Sequence, residues 1–111
     1  RSSVHKQRIR RGIKLLDRER PGWCDRINLD KLELESSFNC VLGQVFASDY
    51  VARLDSNEPS SPYSLGISQL RLYHRLDARY YGFTLPAGRY TWLRLTTEWV
   101  DEIERHCKKE E

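Results

Sequence analysis

One apolar stretch interrupts the polar, amphipathic pattern of this chain: Cys40-Val41-Leu42-Gly43-Gln44-Val45-Phe46-Ala47. At 100° per residue its apolar side chains point almost all the way round, which predicts a helix buried on most sides. Only Gln44 and Ser48 give it a polar line. Asn39 stands at the expected N-cap, and the helix is expected to run to about Leu54, with Tyr50, Val51 and Leu54 continuing its apolar surface. Gly43 costs about 1 kcal/mol of helix propensity against Ala, so it is expected to admit a neighbouring helix at close range.

The flanking segments carry periodic stripes. Over residues 4–20, Ile9, Ile13 and Leu16 recur at i, i+4 and i+7, with Lys6, Arg10, Arg11, Lys14 and Arg18 mostly off that line. Pro21-Gly22 ends this first helix. Residues 23–34 alternate too briefly for a firm strand. They predict a structured linker, open to a short strand or a single helical turn, that places Trp23, Ile27, Leu29, Leu32 and Leu34 on the core. Residues 55–64 are polar, with two Pro and four Ser, and predict a mobile loop. A third helix is expected over about Leu65–Tyr81, burying Leu70, Tyr73, Leu76 (or Asp77) and Tyr80. Gly82 fits its C′ position, with Phe83 packing back. Leu85-Pro86-Ala87-Gly88 predicts a turn. Over 89–108, eight residues from Leu95 and Trp99 to Val100 and Leu93, including Trp92, Ile103 and Cys107, fall within about 160° of arc. Asp101 with Arg105, and Glu104 with Lys108, are spaced for i, i+4 pairs on the opposite face.

The expectation is an all-α, compact single domain over residues 1–111, with four helices and a short extended or irregular segment between the first and second. Residues 1–12 form a basic arm and helix start, and residues 108–111 a frayed tail. Trp23, Cys40, Gly43, Gln44, Trp92 and Trp99 are the expected structural core.

Charge changes the picture at one end. The net charge is +3, but residues 1–20 hold eight Lys/Arg against Asp17 and Glu19, leaving the rest net acidic. That asymmetry suggests a basic surface on a near-neutral body, or simply a solvated helix face. Three cysteines without a CxxC spacing suggest neither a zinc ribbon nor a redox pair. Cys40 and Cys107 fall on apolar faces as small hydrophobes, which fits a reducing, cytoplasmic setting. No apolar run approaches the roughly 18 residues of a membrane span and no signal-peptide pattern opens the chain, so neither span nor export is expected. The chain lacks Met, so Arg1 is not expected to be a native start.

Catalytic motifs are missing: no GxSxG, Walker loop, dinucleotide fingerprint or HExxH is present. His5, His74 and His106 are scattered. No catalytic residue, metal ligand or cofactor is expected. Arg71, Arg75 and Arg79 fall at i, i+4 and i+8, an arginine ladder on the expected third helix, flanked by Tyr73, Tyr80 and Tyr81. With Tyr80 and Tyr63 they form a candidate protein-binding surface, since Tyr and Arg anchor interfaces. With Arg8, Arg10, Arg11, Lys14 and Arg18 they form a candidate nucleic-acid surface. The plain structural alternative pairs the ladder with Glu98, Asp101 and Glu102 of the last helix.

Gly22-Trp23, Arg26-Ile27, Leu29, Leu32, Leu34 and Cys40-Val41-Leu42-Gly43-Gln44 together resemble a family of small proteins encoded by actinobacteriophages and their prophages. That family reads roughly GW-x-x-RI-x-L-x-x-L-x-L followed by CVLGQ. Residues 13–46 carry the resemblance well; 81–103 carry it loosely, through Tyr81-Gly82-Phe83 and the Trp99 helix. The 55–64 loop and the basic extension before Gly12 depart from the pattern. The resemblance brings no activity and no residue role. It implies a phage-type accessory protein in an actinobacterial cytoplasm, and by analogy a protein that binds a host protein. The combined expectation is a non-enzymatic interaction module, monomer or homodimer, with nucleic acid as the alternative partner. Gln44, if buried, is expected to hydrogen-bond the backbone of the 23–34 segment.

Overall fold

Helix α1 runs Val4–Glu19 and puts Ile9, Ile13, Leu15 and Leu16 into the core, so the stripe read from the sequence is the buried face. The computed structural model describes residues 4–54, 60–74, 76–85 and 90–107, with backbone only at Val4 and His5. The expected basic arm before Val4, residues 55–59 of the polar loop, the turn at Pro86-Ala87-Gly88 and the tail at 108–111 lie outside the described residues.

After Pro21-Gly22 the chain makes two 3-10 turns, Trp23–Arg26 and Leu29–Lys31, rather than a strand. Leu32 and Leu34 are buried, and the Leu34 N–H donates to Thr96 Oγ1 at 2.9 Å, so this segment is pinned across the last helix.

The apolar stretch is two short helices, α2 (Val41–Val45) and α3 (Ala47–Val51), broken at Phe46. Its N-cap is Cys40, not Asn39: Cys40 Sγ accepts the Gly43 N–H at 3.2 Å. The Asn39 carbonyl is used instead by the Glu33 N–H and by Gln44 Nε2. Gly43 does not admit a helix. A Cβ there would meet the Ser37 and Phe38 backbone at 2.7 Å, so Gly43 makes room for the turn that enters α2. The close helix approach is at Gly66 of α4, where a Cβ would meet Phe46 Cδ2 at 2.8 Å and Leu42 Cβ at 3.1 Å.

The expected third helix is divided. Helix α4 spans Pro62–Gln69 with Ser61 as N-cap, so the loop ends three residues earlier than its composition suggests. Helix α5 spans only Asp77–Tyr80. Both end in the same way. The Phe83 N–H reaches the Ala78 carbonyl and the Gly82 N–H the Arg79 carbonyl, a Schellman motif with Gly82 at C′, φ 76°. The Leu72 N–H likewise reaches Ile67 O and the Arg71 N–H Ser68 O, but the C′ residue is Arg71, at φ 60°. Tyr73, Leu76 and Tyr80 are therefore exposed rather than buried.

Helix α6, Trp92–Cys107, buries Leu95, Trp99 and Ile103. Leu93, at the edge of the expected apolar arc and about 120° from Trp99, is 77% exposed. Trp99 is fully buried and donates Nε1–H to the Gly82 carbonyl at 2.6 Å. Among the described residues the molecule is all-α and compact, with six α-helices instead of four, and no helix is long and apolar enough to cross a membrane.

Candidate interaction surface

The division between α4 and α5 breaks up the arginine ladder. Arg71 sits on the turn after α4, Arg79 on α5, and Arg75 lies outside the described residues. Arg71 and Arg79 nevertheless share one side of the molecule. Arg71, Arg18 and Tyr80 line a cleft of about 630 Å³ with Leu15, Glu19 and Asp77. Arg79 and Tyr80 line the adjoining cleft of about 360 Å³ with Arg8 and Leu76.

The expected pairing of this arginine set with α6 does not occur among the described residues. Glu102 is buried and held by Arg10, with Nε–Oε1 at 3.2 Å and Nη2–Oε2 at 3.4 Å. Glu98 is held by Arg94 at 3.5 Å and by the Tyr90 hydroxyl, whose own ionisation burial and that hydrogen bond push upward. No ion pair joins Asp101 to Arg105, and Lys108 lies outside the described residues. The Arg71 and Arg79 guanidinium groups are without partners among the described residues.

The cations of α1 are placed differently. Arg8 Nη1 donates to the Arg79 carbonyl at 3.0 Å, and Arg11 Nε to the Tyr80 carbonyl at 3.0 Å. These carbonyls end α5, where helical acceptors lose their intrahelical partners. The Arg11 guanidinium also lies 4.0 Å from the Tyr80 ring centroid. Arg18 pairs with Glu19 at 3.1 Å, and Lys14 stands exposed. Much of the basic stripe is thus a clamp that fastens α5 to α1. Its Arg8 Nε is buried without a hydrogen-bond partner among the described residues.

The two carboxylates at the larger cleft are already engaged. Glu19 faces Arg18, and Asp77 Oδ2 accepts the His74 N–H at 3.1 Å. Around Arg71 and Arg79, Tyr73 is 72%, Leu76 44% and Tyr80 50% exposed. Tyr63 does not join them. It is half-buried and lines a separate small cleft with Phe83 and Trp92, where burial raises its phenol pKa.

The expected core residues mostly pack as read. Trp23 is buried and donates Nε1–H to Asp17 Oδ1 at 2.9 Å. Gln44 Oε1 accepts the Asn28 N–H at 2.6 Å, while Nε2 donates to the Asn28 and Asn39 carbonyls, so it bridges the 23–34 segment to the α2 entry. Trp92 is half-buried. Cys107 is no free hydrophobe: it is bonded to Cys24 across 83 residues, and Cys40 is the free, buried thiol. That bond removes the support that cysteine usage lent to a reducing compartment. The odd cysteine count and the long separation hid the pair from the sequence.

No protein family, curated protein or solved structure matches the chain.

Proposed function

We propose that this chain is a small non-enzymatic interaction module that binds an acidic, aromatic-bearing segment of a host protein across the Arg71–Arg79–Tyr80 face. The observation that carries this reading is Arg71. It holds a left-handed backbone that costs a non-glycine residue about 1–2 kcal/mol, and its guanidinium has no partner among the described residues. Strained residues of this kind concentrate at functional sites. Exposed Tyr73, Leu76 and Tyr80, beside two arginines without partners among the described residues, supply the side chains that anchor protein interfaces. The resemblance over residues 13–46 to actinobacteriophage proteins supports a bacterial host protein as the owner of that segment.

A nucleic-acid reading rests on Arg11, Lys14 and Arg18 along the outer face of α1. It is the weaker one, because Arg8, Arg10, Arg11 and Arg18 all contact groups within the fold. Anisotropy titrations of a labelled Glu/Tyr copolymer and of labelled duplex DNA separate the two. The copolymer is expected to bind, and Arg71→Glu/Arg79→Glu to weaken it at least tenfold with an unchanged helical CD signal. DNA binding that survives the double change, with log K falling about 0.9 per phosphate against log salt, would move the function to α1.

A further inference from the structure

The Cys24–Cys107 disulfide joins the turn after α1 to the last turn of α6. Both cysteines are half-buried, and a cleft of about 180 Å³ opens beside them, bordered by Asp25, Ile103 and Glu104. A thiolate therefore has a path to the bond. Besides the disulfide, this end is held by the packing of Cys24 and Cys107 on the core margin and by His106. His106 Nε2 lies 2.9 Å from Asp17 Oδ2, and its ring stacks on Trp23 with centroids 6.2 Å apart.

The rest of α6 is anchored independently. Trp99 donates to the Gly82 carbonyl, Glu102 pairs with Arg10, and Thr96 Oγ1 receives the Leu34 N–H. Both bonded cysteines are half-buried and pack against the margin of the core, outside its fully buried set. Local opening starts at such marginal helix ends before the packed centre. A domain of this length also buries enough surface to fold without a staple.

We propose that the Cys24–Cys107 disulfide is a reversible redox clamp, opened by dithiol reductants without unfolding the core. A reductant thiolate attacks one sulfur and forms a mixed disulfide, releasing the other cysteine as a thiolate that takes up a proton. The second reductant thiol then closes on the mixed disulfide and releases the second cysteine. The protein bond gains two electrons and two protons, and the dithiol leaves as a disulfide. The last turn of α6 then lifts, and His106 separates from Trp23 and Asp17. The end of the molecule where α1 meets α6 thus reports the thiol redox state around it.

The test is pulsed alkylation with iodoacetamide across a dithiothreitol titration of the air-oxidised full chain, read by intact mass and circular dichroism. The expected result is no adduct before reduction and two after mild reduction, at Cys24 and Cys107, with the helical signal retained. Cys40 is the internal control: it is 2% exposed, its thiol is pushed up to about 11, and it is expected to react only in denaturant. Removing dithiothreitol and adding oxidant is expected to restore the adduct-free state. The reduced protein is expected to melt several degrees lower than the oxidised one, at the temperature of Cys24→Ser/Cys107→Ser. Adducts at Cys24 or Cys107 before reduction would show that no clamp forms. None at dithiothreitol levels that reduce an exposed peptide disulfide would make the bond a closed structural staple. Three adducts in the absence of denaturant would mean that reduction unfolds the core. Any of these overturns the proposal.

Discussion

Gln44 uses both ends of its amide. Its carbonyl takes the Asn28 N–H, and its amino group adds a second donor to the Asn28 and Asn39 carbonyls, which also accept the Lys31 and Glu33 N–H groups. Gln44→Leu keeps the volume but takes the Asn28 N–H's partner away at an exposed site, so a loss of about 0.5–1.5 kcal/mol is expected in urea unfolding. An unchanged midpoint would make the bridge dispensable. Arg71 behaves in the opposite sense. Glycine takes φ 60° without the Cβ penalty, so Arg71→Gly is expected to stabilise the fold by about 1 kcal/mol. The same change is expected to weaken binding to the acidic copolymer. A variant both less stable and unaltered in binding would remove the argument from strain. Cys40 adds a pH dependence. Burial raises its thiol from 9.0 to about 11. The folded state thus resists ionisation that the unfolded chain allows. Its contribution is whole below pH 9 and is lost as pH rises toward 11, on the order of 2–3 kcal/mol. Unfolding curves from pH 8 to 11 should fall more steeply for the wild type than for Cys40→Ser, which keeps an N-cap oxygen without a comparable titration. Parallel curves would contradict this.

At the scale of elements, α1 and α6 were legible because each keeps one apolar stripe over four turns, long enough for period to exceed noise. The C-terminus of α5 was legible because glycine marks a left-handed cap. The end of α4 was not, since it places an arginine in that position, so one long helix was expected where there are two. The break at Phe46 was hidden for another reason. Val41, Leu42, Val45 and Phe46 are all buried, so no polar face records where the helix turns. The two close-packed glycines separate backbone from side-chain contact. Gly66→Ala meets the side chains of Phe46 and Leu42, whereas Gly43→Ala meets the backbone of Ser37 and Phe38. Thermal melts should show Gly43→Ala losing more stability, beyond the roughly 1 kcal/mol that alanine returns in helix propensity. The reverse order would mean that the Ser37-Phe38 turn yields easily.

The whole molecule joins features that are far apart in sequence. Arg8 and Arg11 of α1 close the end of α5, Arg10 neutralises buried Glu102 of α6, and Cys24 reaches Cys107. A single sequence gives no local sign of such contacts. The charge asymmetry was visible, but its use was not: most α1 cations hold the fold, which leaves Arg71 and Arg79 unpaired among the described residues. The candidate surface was therefore legible in its residue types and not in its geometry, because it lies on a turn between helices rather than along one. Its chemistry is tested most directly by capturing bacterial host proteins on wild type and on Arg71→Glu/Arg79→Glu, after nuclease treatment and at moderate salt. One acidic-segment protein is expected to be retained by the wild type and lost from the variant. Equal retention by both, or retention that disappears with nuclease, would contradict it.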